Sequence, residues 1–167
     1  AMYYSTATGA FRCYQEGAWH NCLGGALSSI TADSTTLNGN TAGAQNFSTT
    51  YTMPANYCTQ GRVVHLGVTG IYSSTTTAQP MSFTVKLGTT AISAGSATIT
   101  PAASQTNATW VMDYTFTCRA APSASSAVYG QGDINMQTSA TATTSQTIAS
   151  ATPTTGVNVA TNAAQAV

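Results

Sequence analysis

Apart from hydroxyls and amides, this 167-residue chain could do chemistry only with two histidines, four cysteines, four carboxylates and four basic side chains. Acid/base or nucleophilic catalysis needs at least two such groups at a spacing that lets them converge. Arg62, Lys86 and Asp113 fall on separate predicted strands, with no second carboxylate or nucleophile–base pair beside them. No catalytic set and no cofactor site is expected, and the chain reads as a non-enzyme. Asp133, in Gly130-Gln131-Gly132-Asp133, lacks the run of oxygen ligands that a calcium loop supplies, so it reads as a turn or strand-edge residue. His65 sits in a strongly alternating segment and reads as a core or interface histidine. A three-fold axis gathering three such imidazoles on a metal is the alternative, but one residue is thin support for it.

The cysteines are Cys13, Cys22, Cys58 and Cys118, an even count with few metal-type partners, which favours disulfides over zinc. In Phe11-Arg12-Cys13-Tyr14 and Trp19-His20-Asn21-Cys22, aromatic-rich flanks surround Gln15-Glu16-Gly17-Ala18, a hairpin turn signal. Cys13 and Cys22 are expected to meet across that hairpin. Cys58 to Cys118 then follows only by elimination, and two buried free thiols behaving as small hydrophobes are the competing reading. Tyr14, Trp19 and His20 on the hairpin form a candidate sugar-binding platform, set against plain cross-strand packing.

Composition removes several functions at once. Net charge is zero and charged residues make up 5% of the chain, so it has no basic field for nucleic acid or an anionic membrane. With 43% apolar residues it should fold, yet no apolar run approaches the roughly 18 residues of a membrane span. Met2-Tyr3-Tyr4 lacks the basic and apolar regions of a secretory signal, so the chain is expected to be a cut from something longer.

The elements that would position these residues are strands. Residues 1–22 read as the cysteine hairpin, and 23–45, rich in Ser, Thr, Asn and Gly, as a linker or lead-in strand. From 46 to 167 a period of two recurs: Phe47 to Met53, Arg62 to Tyr72, Met81 to Leu87, Ala91-Ile92, Ala97 to Thr100, Trp110 to Cys118, Val128 to Met136, Thr147 to Ala151 and Val157 to Val159. Turn residues such as Gly88-Thr89-Thr90 and Ala121-Pro122-Ser123 separate them, and no helical period appears. The expectation is an all-β, antiparallel sandwich or jelly roll with Trp110 in its core or at an interface.

Tyr51-Thr52-Met53-Pro54-Ala55-Asn56, Gly61-Arg62-Val63-Val64, Gly70-Ile71-Tyr72-Ser73, Phe83-Thr84-Val85-Lys86-Leu87-Gly88-Thr89-Thr90, the strand from Trp110 and Gly130-Gln131-Gly132 follow one another in order. This succession resembles bacteriophage tail-fibre and related virion appendage domains. Residues 2–14 and Gly17-Ala18-Trp19 resemble the small cysteine-containing segment that precedes such domains. The resemblance covers most of the chain and carries structural motifs without catalytic content. It implies a jelly-roll head on the virion surface, homotrimeric, that attaches to a bacterial host through a surface glycan or protein.

Two features depart from that pattern. The chain stops at Ala163-Ala164-Gln165-Ala166-Val167, where a long last strand ought to begin, and Cys58 and Cys118 occupy positions where the family does not usually have cysteine. A last strand supplied by another copy would make the chain a bacterial filament or adhesin subunit, the second reading. A carbohydrate-binding module of a larger protein is the third. In a chain this poor in charge, Arg62, Lys86, Asp113, Arg119 and Asp133 are expected to pair between strands or between subunits.

Overall fold

A computed structural model describes residues 2–6, 10–15, 18–21, 30–37, 39 and 44–167. Among them the secondary structure is entirely β, in thirteen strands: β1 (Met2–Ser5), β2 (Ala10–Gln15), β3 (Ala18–Asn21), β4 (Thr52–Met53), β5 (Val63–Tyr72), β6 (Lys86–Leu87), β7 (Thr90–Ala91), β8 (Ser93–Ser96), β9 (Ala108–Cys118), β10 (Ser126–Ser139), β11 (Ala142–Ser150), β12 (Val157–Val159) and β13 (Gln165–Ala166). All pairings are antiparallel. The largest sheet runs β5-β9-β10-β11-β8, with β12 pairing the start of β10; β1-β2-β3, β13-β4 and β6-β7 form smaller sheets.

Alternation decides which face of the large sheet is buried. Trp110, Met112, Tyr114, Phe116 and Cys118 of β9 all lie inward, while the residues between them are outward. Register extends that face into rows, Leu66–Tyr114–Gly132–Ile148 and Val68–Met112–Ile134 among them. Met53, Cys58, Val85, Leu87, Ile92 and Ile99, from the short ribbons and loops laid across it, close the core. The β6–β7 ribbon turns through Gly88, whose φ of 64° lies in the left-handed region that glycine enters without strain.

One aromatic ring organises the centre of this face. Tyr114 lies across the two glycines facing it on β10: a Cβ built on Gly130 would stand 2.2 Å from the phenol oxygen. Bare backbone on one strand therefore makes room for a large ring on the next. The Tyr114 hydroxyl reaches the opposite layer and donates to the Ile92 carbonyl at 3.1 Å. A disulfide makes a second tie between the layers. Cys58, in the loop before β5, is bonded to Cys118 at the end of β9, across 60 residues of sequence, and both are buried.

Three sequence expectations change here. Cys13 is a free thiol, and its register partner is His20, because the turn pairs Gln15 with Ala18; the bridge expected to Cys22 is not seen at Cys13. Cys22 itself lies outside the described residues, as do Glu16-Gly17 and about half of 23–45. Phe47 to Met53 contributes only Thr52–Met53 as strand: Ser48 N–H donates to the Ser34 hydroxyl at 2.9 Å and Thr49 Oγ1 to the Asp33 carbonyl at 3.2 Å, and the Phe47 ring stacks on Trp110, centroids 5.9 Å apart. Finally, residues 165–167 are used: Gln165 and Ala166 pair with Met53 and Thr52, and Tyr51 and Val167 exchange backbone hydrogen bonds of 3.2 and 2.8 Å.

Opening the Cys58–Cys118 bridge, as in the Cys58→Ala/Cys118→Ala variant, should cost about 4 kcal/mol from the freed loop entropy. Urea denaturation of the two proteins measures it. Burial pushes the Tyr114 phenol from 10.0 up to about 12, and raises Tyr51 and Tyr72 in the same direction. Below the unfolded value both states hold the proton and stability is complete. Between pH 10 and 12 the unfolded chain loses its proton first, so stability should fall through that window. Tyr114→Phe should flatten part of this slope in an alkaline urea series. It should also cost about 0.5–1.5 kcal/mol at neutral pH by removing one of the two donors to the Ile92 carbonyl, which keeps the Ala151 N–H at 3.2 Å.

Candidate functional site

The three-stranded sheet sets four side chains on one face. Register pairs Tyr3 with Arg12 and Tyr14 with Trp19, and strand alternation places Arg12 and Tyr14 on the same side. Trp19 is the centre: the Tyr3 ring meets it edge-on at 4.7 Å and the Tyr14 ring at 5.3 Å. Arg12 Nη2 donates to the Trp19 carbonyl at 2.8 Å, fixing the guanidinium beside the rings, while its Nε is buried without a hydrogen-bond partner among the described residues. The rings remain open to solvent, with relative exposures of 47% for Tyr3, 49% for Tyr14 and 40% for Trp19.

Stable folds ordinarily cover rings of this size, since each carries a large apolar area. A fixed aromatic cluster flanked by a guanidinium offers C–H stacking to a sugar ring and donors to its hydroxyls. Of the expected platform residues, Tyr14 and Trp19 come together. His20 contributes backbone opposite Cys13, and its side chain lies outside the described residues. Tyr3 completes the cluster instead. The aromatic pair Tyr3-Tyr4 was its only signal in the sequence, because pairing of β1 with β2 is what brings it in.

The outward face of the large sheet holds the other candidate chemistry. His65 Nε2 lies 3.2 Å from Asp113 Oδ1, and Asp113 is opposite Asp133 in the β9–β10 register. Asn135 Nδ2 donates to Asp133 Oδ2 at 2.8 Å. A shallow groove of about 400 Å³ continues from there, lined by Thr69, Thr109, Val111, Asn135, Gln137 and Thr143 among others. Among the described residues no three His, Cys, Asp or Glu side chains converge as a metal site. His65 and Asp113 are also 62% and 54% exposed, so the pair is held in water.

Among the described residues, Arg62, Lys86 and Arg119 make no ion pair between strands. Arg62 lies 4.3 Å over the Tyr57 ring, Arg119 lies 5.0 Å over Tyr129, and Lys86 Nζ donates to Asn46 Oδ1 at 3.2 Å. The reason is geometric. Arg62 and Arg119 flank strand ends next to tyrosines, whereas Asp113 and Asp133 sit mid-strand opposite each other. Trp110 is a core residue as expected, buried between Phe47 and Phe83.

Opposed carboxylates at Asp113 and Asp133 repel, while the exposed His65–Asp113 contact is weak. Asp133→Asn should therefore raise stability by a few tenths of a kcal/mol at low salt, with the gain shrinking in high salt. His65→Ala should cost at most about 1 kcal/mol. Paired denaturation curves at the two ionic strengths test both signs.

Comparison with protein-family models, with curated proteins and with solved structures finds no match to this chain.

Proposed function

We propose that this chain is a non-enzymatic attachment domain of a virion appendage, with a jelly-roll-type head, that holds a glycan of a bacterial surface against Tyr3, Tyr14 and Trp19. The observation that carries the reading is the exposed ring cluster: Tyr3 and Tyr14 each in contact with Trp19, anchored through Arg12, with their outer surfaces in water. The buried Cys58–Cys118 disulfide supports an oxidising, extracellular setting. Scarcity of charge supports it too, because a neutral surface loses little when salt or pH changes outside a cell. The ligand is then an uncharged or weakly anionic oligosaccharide, recognised by stacking, with the guanidinium supplying the directional contact.

The chain has two tryptophans, and Trp110 is buried, so a ligand-induced change in tryptophan emission reports on Trp19. Titration with a panel of bacterial surface oligosaccharides should shift that emission. Trp19→Ala should weaken binding, followed by calorimetry, at least about tenfold, and Tyr3→Ala should weaken it less. If no glycan on the panel shifts the emission, or Trp19→Ala binds as well as the parent, the site assignment fails. Immunogold labelling of particles separates the two settings: label on a virion appendage supports the reading, whereas glycan binding without particle association points to a carbohydrate-binding module of a larger protein.

A further inference from the structure

The two edges of the large sheet are finished differently. At β8 the edge is closed by the chain itself: Ser96 N–H donates to the Phe83 carbonyl at 2.8 Å, and the Ser96 and Ser93 hydroxyls accept from Phe83 and Val85 N–H at 3.0 and 2.8 Å. At the other edge lies β5, ten residues long, with β9 as its sheet neighbour. Cys118 N–H donates to the Arg62 carbonyl at 2.8 Å, which sets the phase of the β5–β9 ladder. Antiparallel bonding alternates pair by pair, so Val64, Leu66, Val68, Gly70 and Tyr72 bond to β9. Val63, His65, Gly67, Thr69 and Ile71 turn their N–H and C=O groups away from it. No hydrogen bond among the described residues reaches those outward groups.

Natural sheets protect a long free edge with lysine, proline or a bulge. β5 has none of these: it reads Val-Val-His-Leu-Gly-Val-Thr-Gly-Ile-Tyr, and its register with β9 is unbroken. It also exposes Val63 and Ile71, at 58% and 65%, and leaves Val64, Leu66 and Val68 only partly covered.

We infer that the β5 edge is the docking surface for a second copy of this chain, joined β5 to β5 about a two-fold axis through Gly67. The strand is complementary to itself in that arrangement. Antiparallel pairing centred on Gly67 sets Val63 against Ile71, His65 against Thr69, and Leu66 against Val68 of the copy. It unites every outward N–H and C=O in about ten hydrogen bonds. Apolar residues meet apolar residues on both faces, and the two large sheets become one continuous sheet. Because the opposite edge of the same sheet is closed at β8, the large sheets join β5 to β5 and do not add head to tail, so the assembly stops at two copies. This inference stands independently of what the aromatic face binds.

Analytical ultracentrifugation of the chain at micromolar concentration should give a two-chain mass, and native amide exchange should read out the strand. In the dimer the amides of Val63, His65, Gly67, Thr69 and Ile71 should exchange at least about a hundredfold more slowly than exposed amides. Thr69→Pro removes one outward N–H that makes no bond among the described residues, and edge positions accept proline. Ile71→Lys places a charge on the same edge. Both variants should sediment as single chains with the parent circular dichroism spectrum, and the protection of the remaining outward amides should disappear. A parent that stays monomeric or forms trimers overturns the inference. So does a dimer that persists in both variants, or protection of these amides in a single-chain species.

Discussion

The structure depends on one close approach, in which the Tyr114 ring lies over the backbone of Gly130 and Gly132. A side chain of ordinary size at either glycine would push the ring off the sheet. With the ring in place, its hydroxyl spans the core to Ile92, and the layer of short ribbons is held at a fixed height above the sheet. The ribbons alone are too short to be stable; packed on this surface, they have Met53, Leu87, Ile92 and Ile99 fully covered. The positions of β4, β6, β7 and β13 thus follow from what β9 and β10 leave between them.

The large strands were legible because they bury one face only. Alternation of Trp110, Met112, Tyr114 and Phe116 with Val111, Asp113 and Thr115 marks β9 without ambiguity, and Val157 to Val159 was readable to the residue. β11 starts at Ala142, five residues ahead of the expected Thr147, because Thr143, Thr144, Ser145 and Gln146 carry no apolar contrast to reveal a strand. Met81 to Leu87 looked like a strand for the opposite reason. Its apolar contrast is genuine, but Phe83 and Val85 bond to serine hydroxyls of β8 in place of a continuous backbone ladder.

Chemistry was legible where it is local and hidden where it depends on register. Tyr14 and Trp19 belong to one hairpin, so their neighbourhood follows from the turn between them. Tyr3 joins them only through β1, too short to signal itself. Asp113 and Asp133 each stood out in the sequence, but their opposition arises from a ladder between strands whose relative slide local spacing does not reveal. The same holds for Cys58 and Cys118, which elimination could pair only if Cys13 and Cys22 were bonded. The structure gives the former bond while Cys13 stays reduced.

That bond also determines how the domain responds to being pulled. It closes a covalent ring from Cys58 to Cys118 that contains β5, β6, β7, β8 and nearly all of β9. Tension applied through the backbone outside the ring passes through sulfur and bypasses everything within it. The 59 residues strictly between the two cysteines, obtained from a separation of 60, cannot add to the extended length however far the rest unravels. A tether built from such a domain stretches through β1 to β4 and β10 to β13 and then stops short, keeping the folded strands of the ring as a reserve that only a reductant releases.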